Sequence, residues 1–131
     1  MAQRDAVFPA NRHALYEAHG YSAAVRSESL LFVSGQVGSR ADGSPEPHFE
    51  TQVRLAFANL EATLRAGGCG YDDIIDVTTF HTDPENQFET IMTVKNAIFD
   101  RAPYPTWTAL GVNWLAGFDF EIKVIARVPT D

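Results

Sequence analysis

The sequence predicts an α/β (α+β) domain: a sheet with two helices packed on one face, in the order ββαβαββ. Three patterns carry that expectation. Apolar residues recur at helical spacing between Phe49 and Ala66, apolar and charged residues alternate strictly near the C-terminus, and β-prone runs bounded by turn formers fill the intervals. With 131 residues, 45% of them apolar and 21% charged, the chain has the size and composition of one domain, residues 1–131, with one core.

Taken in order, Tyr21 to Arg26 and Leu30 to Ser34 form a hairpin around a three-residue loop, Ser27-Glu28-Ser29. Gly38 to Pro47, with Asp42-Gly43-Ser44-Pro45 inside it, reads as an exposed, mobile loop. Val53, Ala56, Phe57, Leu60 and Leu64 then make the stripe of an amphipathic helix over Phe49 to Ala66, closed by Gly67 and Gly68. Ile74 to His81 is a β-branched, strand-forming run. Asp83-Pro84 opens a second helix through Phe88, Ile91, Met92, Lys95 and Phe99, which Pro103 and Pro105 stop. Thr106 to Val112 and Phe118 to Val128 are the last strands, joined through Asn113 to Gly117.

Side-chain parity locates a candidate site. In the last strand Phe118, Phe120, Ile122, Val124 and Ala126 face the helices, and Asp119, Glu121, Lys123 and Arg127 face away. Assigning Leu110 and Val112 to the core puts Trp107 on the same outer face as Glu121. An outer face that mixes a tryptophan with charges is suited to packing against copies of the chain, with a small-molecule cleft at the seam.

Charge and cysteine content exclude other classes. A formal net charge of −7 opposes binding to nucleic-acid backbones, and no apolar run reaches membrane-spanning length. Cys69 is the single cysteine, which points to a reducing, cytoplasmic setting. The four histidines, His13, His19, His48 and His81, lack metal-ligand spacing, and no phosphate loop is present, so no metal or cofactor is expected.

Tyr21-Ser22-Ala23-Ala24-Val25, Phe32-Val33-Ser34-Gly35-Gln36, Asp73-Ile74-Ile75-Asp76-Val77-Thr78 and Phe120-Glu121-Ile122-Lys123-Val124-Ile125-Ala126 resemble the RidA/YjgF family, also called endoribonuclease L-PSP. His81-Thr82-Asp83-Pro84-Glu85-Asn86-Gln87-Phe88 is similar to its YjgH-like branch. The resemblance spans nearly the whole chain. It implies a chorismate-mutase-like fold, a homotrimer with clefts between subunits, and cofactor-independent hydrolysis of reactive enamines and imines to 2-oxo acids and ammonia.

Carried over by position, Glu121 is the catalytic carboxylate and Tyr21 lines the cleft. Trp107 stands where the family carries a carboxylate-binding arginine, and Met92 where it carries a cleft asparagine. Tyr104 and Trp114 add aromatic surface. Loss of a bidentate guanidinium implies altered specificity, toward a substrate less acidic than a 2-imino acid, unless Arg26 or Arg101 enters the cleft. The alternative is a catalytically silent trimer that binds a small metabolite or a partner protein. In that reading Glu121 is an ion-pair partner of Lys123 or Arg127, Trp107 an interface filler and Met92 a core residue.

Overall fold

The protein is described here by a computed structural model covering residues 3–130; the expectation of one domain over 1–131 reaches beyond them at Met1, Ala2 and Asp131. Strands β1 (Asp5–Val7), β2 (Ala24–Ser27), β3 (Leu30–Val37), β4 (Ile74–His81), β5 (Thr106–Gly111) and β6 (Phe120–Arg127) form one sheet. Its order is β1-β2-β3-β6-β4-β5, antiparallel except for the parallel β4–β5 pair. Helices α1 (Leu15–His19), α2 (Phe49–Ala66) and α3 (Pro84–Ile98) complete the fold. The expected ββαβαββ core is present, and β1 and α1 are additions ahead of it.

Both additions are too short for periodicity to register. Three residues of β1 pair with β2, and one turn of α1 ends at Gly20, whose φ of 71° is the left-handed C-cap that glycine adopts without strain. The hairpin turn is also tighter than expected. Ser27 pairs with Leu30, which leaves the two residues Glu28 and Ser29, and Glu28 takes a φ of 55° because a two-residue hairpin turn needs positive φ.

Helix α2 lies across the middle of the sheet because its stripe is continuous. Val53, Ala56, Phe57, Leu60 and Leu64 are buried against Leu31 and Val33 of β3 and Phe120, Ile122, Val124 and Ala126 of β6. Gly67 is its C-cap, and the Arg26 guanidinium donates to the Gly67 carbonyl at 2.7 Å, a cation at the negative end of the helix dipole. Ile91 and Val94 bury α3 beside it.

The Gly38–Pro47 loop is more tightly held than its composition suggests. Ser39 bridges to Pro45, and the Asn59 amide of α2 donates to the carbonyls of Val37 and Ser39 at 2.9 and 3.2 Å. Gly38 sits so close to α2 that a Cβ there would collide with the Gln52 backbone. Gln52 in turn accepts the Asp119 N–H at 2.8 Å, which fixes where β6 begins.

Strand β5 corrects the parity assignment. Parallel pairing sets Trp107 beside Val77 and Leu110 beside Phe80, so Trp107 is on the helix side and Leu110 on the outer face. Trp107 and Glu121 therefore do not share a face. The physical cause is the edge position of β5: the flank of α3 leaves room there for an indole, which packs beside Phe88 and donates its N–H to Thr79 Oγ1 at 2.9 Å. Leu110 is 45% exposed, so its apolarity marked an outer surface and not the core.

Candidate active site

The expected site residues fall into two groups on one chain, a cleft on the outer face and an aromatic edge beside α3. The cleft is built on a strand irregularity. Between Val33↔Val124 and Gln36↔Ile122 the β3 numbering advances three and the β6 numbering two, so one extra residue bulges from β3 within Ser34-Gly35. The Ser34 hydroxyl donates to the Ser22 carbonyl at 2.7 Å, and Gln36 Nε2 donates to the Ser34 carbonyl at 3.1 Å, which hold the bulge in place.

Gly35 then serves by having no side chain. The Glu121 side chain lies directly across it, and a Cβ at Gly35 would come 2.5 Å from Glu121 Cδ. A hollow of about 320 Å³ opens over this carboxylate, walled by Tyr21, His19, Leu15, Val37, Leu115 and Phe118. Burial costs the carboxylate part of its hydration and raises the Glu121 pKa above its ordinary 4.5. Burial, with Tyr16 and Glu121 nearby, pushes the Tyr21 phenol up to about 12, so it stays a neutral hydroxyl at physiological pH.

Tyr21 is positioned from α1. The Tyr16 hydroxyl donates to Gln36 Oε1 at 2.9 Å, and the Tyr16 ring meets Tyr21 edge-on with centroids 5.1 Å apart. Thus Ser34-Gly35-Gln36 works as one unit: a bulge, a seat for the carboxylate, and a buried amide that fixes the aromatic pair. The support from Tyr16 and Gln36 was not anticipated from sequence. Gly20 as a helix stop after Leu15-Tyr16 was the local signal for it.

Trp107, Met92 and Tyr104 form the second group. Phe88, Met92, Lys95 and Phe99 recur at helical spacing along the flank of α3 that borders β5. Trp107 lies parallel to Phe88, centroids 6.0 Å apart, with the Lys95 ammonium 4.4 Å from its own ring centroid. Met92 is half-buried outside the core cluster, and Tyr104 is 63% exposed.

Neither candidate arginine reaches the Glu121 cleft within one chain. Arg26 caps α2, and Arg101 lies 3.6 Å from Asp72 at the rim of a separate hollow. Cys69 is buried and its thiol pKa is raised by burial, which disfavours the reactive thiolate. His81 is buried, with Nε2 2.7 Å from Thr79 Oγ1, and burial lowers its pKa. Among the described residues no cluster of His, Cys, Asp and Glu is arranged to hold a metal, and no helix is long and apolar enough to cross a membrane.

The chain is similar to known proteins over nearly its whole length. The family model described as Endoribonuclease L-PSP matches residues 11–128. The chain is 75% identical over 129 residues to the "RutC family protein YjgH" of Escherichia coli strain K12, covering 98% of each chain. A solved structure described as "Structural Genomics, Protein YJGH" superposes with a TM-score of 0.95 at 74% identity, over 99% of this chain and 100% of that one. Escherichia coli strain K12 also has a relative named "Putative reactive intermediate deaminase TdcF", 36% identical over 110 residues, or 81% of this chain and 84% of that protein. The family-model match over residues 11–128 and the 75% identity over 98% of the chain place it in the RidA/YjgF family, on its YjgH-like branch.

Proposed function

We propose that this protein is a cofactor-independent hydrolase of reactive enamines and imines, working in clefts between the subunits of a homotrimer. The observation that carries the reading is Glu121: a carboxylate seated on Gly35, desolvated, and facing a hollow of about 320 Å³ beside a neutral phenol. A carboxylate with a raised pKa is a stronger base than an exposed one and is better matched to proton transfer near neutral pH. In the reaction Glu121 takes a proton from water as its oxygen bonds to the C=N carbon. The same proton passes to nitrogen and gives a neutral carbinolamine. Glu121 then takes the carbinolamine O–H proton and delivers it to the amino group as the C=O bond forms. The C–N bond breaks with its electron pair leaving on nitrogen, and ammonia departs with Glu121 again a carboxylate. Tyr21 donates a hydrogen bond to the reacting group and stays protonated throughout.

The trimer is supported by the outer face of the sheet. Phe32 and Ile75 are each 40% exposed and Leu110 45%, a spread of apolar side chains that a second copy would cover. In a trimer the α3 edge of one subunit, with Trp107, Met92 and Tyr104, completes the Glu121 cleft of the next. Position 107 supplies an indole and not a guanidinium fork, so specificity is altered from that of carboxylate-gripping relatives. We place the protein in the cytoplasm, in keeping with its lone, buried cysteine.

The test is to present purified protein with 2-imino acids and with carboxylate-free imines and to follow carbonyl release. Turnover of carboxylate-free imines at least as fast as 2-imino acids is expected. A strong preference for 2-imino acids refutes the altered specificity, and failure to hydrolyse either class favours the silent, ligand-binding trimer.

A further inference from the structure

Three titratable side chains line the hollow over Gly35, and the hydrolysis uses two of them, Glu121 and Tyr21. The third is His19. Its place is fixed by the way α1 ends. Gly20 takes a φ of 71°, and the N–H groups of Gly20 and Tyr21 both donate to the Tyr16 carbonyl, at 2.9 and 3.0 Å. That turn sets His19 and Tyr21 on either side of the glycine and brings both to one hollow. Tyr16 is buried and bonded to Gln36, and at the other end of α1 the Ala14 N–H donates to the Ala41 carbonyl at 3.0 Å. His19 is thus an exposed imidazole on a held backbone, and the ion pairs among the described residues do not involve it.

We propose that His19 is a second catalytic residue, which isomerises enamines to imines ahead of hydrolysis. The inference rests on the hydrolase reading and names its substrate class: enamines that carry an N–H, with no carboxylate required. An enamine offers water no C=N carbon until its β-carbon is protonated. Glu121 cannot supply that proton while it stands as the carboxylate that deprotonates water, whereas an imidazole both gives and takes protons near neutral pH. Protonated His19 gives its proton to the β-carbon. The C=C electron pair makes the new C–H bond, the nitrogen lone pair closes the C=N bond, and an iminium ion results. The neutral imidazole then takes the iminium N–H proton, whose bonding pair stays on nitrogen. A neutral imine is left, His19 is protonated as at the start, and the Glu121 chemistry begins from that imine.

Two carboxylate-free probes separate the steps. The cyclic imine 2-methyl-1-pyrroline exchanges the hydrogens beside its C=N carbon through the enamine, and its opening by water reverses, so NMR in heavy water reads isomerisation alone. The N-methyl imine of benzaldehyde has no such hydrogen and reads hydrolysis alone. The parent is expected to speed deuterium entry above the buffer rate, His19→Gln to slow it by about 10²-fold, and Glu121→Gln to retain it. Benzaldehyde release should be unchanged in His19→Gln and fall in Glu121→Gln. The exposed position of His19 makes its substitution mild for the fold. Exchange at the buffer rate with the parent, or unchanged in His19→Gln, overturns the proposal, as does an equal loss in Glu121→Gln. A parent that speeds exchange but releases no benzaldehyde counts against the hydrolase reading and supports the assignment of His19.

Discussion

Replacing Gly35 by alanine adds one carbon beneath the carboxylate on which the proposed chemistry depends. The new Cβ would lie 2.5 Å from Glu121 Cδ, and ordinary contact begins near 3.4 Å, so the carboxyl group must retreat by about 0.9 Å. The collision is with the far end of a flexible side chain and not with backbone, so the sheet is expected to tolerate it and unfolding to remain cooperative. Catalysis is less forgiving. A displacement of about 1 Å in a reacting group costs on the order of 100-fold in rate. Gly35→Ala is therefore expected to lower kcat for imine hydrolysis by about two orders of magnitude, with thermal unfolding close to that of the parent. Stopped-flow measurement of carbonyl release from a freshly generated imine reads the first quantity, and calorimetry the second. A variant that keeps the parent's kcat while its structure shows the displaced carboxylate refutes the role assigned to Glu121 and its glycine seat.

Burial raises the Glu121 pKa, so between its ordinary 4.5 and the raised value the folded chain holds a proton that the unfolded chain has lost. Stability falls as pH climbs through that interval and stays lower above it. Glu121→Gln should accordingly raise Tm at about pH 8, with the gain vanishing below pH 4.5; a variant less stable at about pH 8 contradicts the burial argument. Thr79→Val removes the hydroxyl shared by Trp107 and His81, and a loss of about 1–3 kcal/mol with a red shift in tryptophan emission is expected. Unchanged stability and emission would show that the pair does not fix the indole. Phe32→Glu puts a charge on the outer face, and sedimentation should show a trimer reduced to monomers; a parent that sediments as a monomer removes the intersubunit cleft from the account.

The sequence disclosed the fold wherever a pattern was long enough to have a period. The α2 stripe from Val53 to Leu64 and the alternation from Phe120 to Ala126 are the two surfaces that meet in the core. What escaped was short or lay at an edge. β1 and α1 carry too few residues to establish a repeat, yet α1 supplies Tyr16, which holds Tyr21 in place. Trp107 was misplaced because parity along an exposed edge strand was read from hydrophobicity. There an outward leucine and an inward tryptophan are equally apolar, and only pairing with β4 distinguishes them. Glu121 and Tyr21 were identified from their match to a known family, and the reason for Gly35 became visible only with the carboxylate lying across it. In sequence Lys95 is one more residue of the second helix, because its proximity to Trp107 joins α3 to β5 and leaves no trace in local spacing.

The central claim is that Glu121 moves the proton in imine hydrolysis. Its most direct test compares the parent and Glu121→Gln at matched oligomer mass, following ammonia and carbonyl release from the same imine. Glutamine fills nearly the same volume and cannot accept the proton, so the rate should drop by about 10²- to 10⁴-fold while the assembly stays intact. Equal rates in the two proteins would contradict the account.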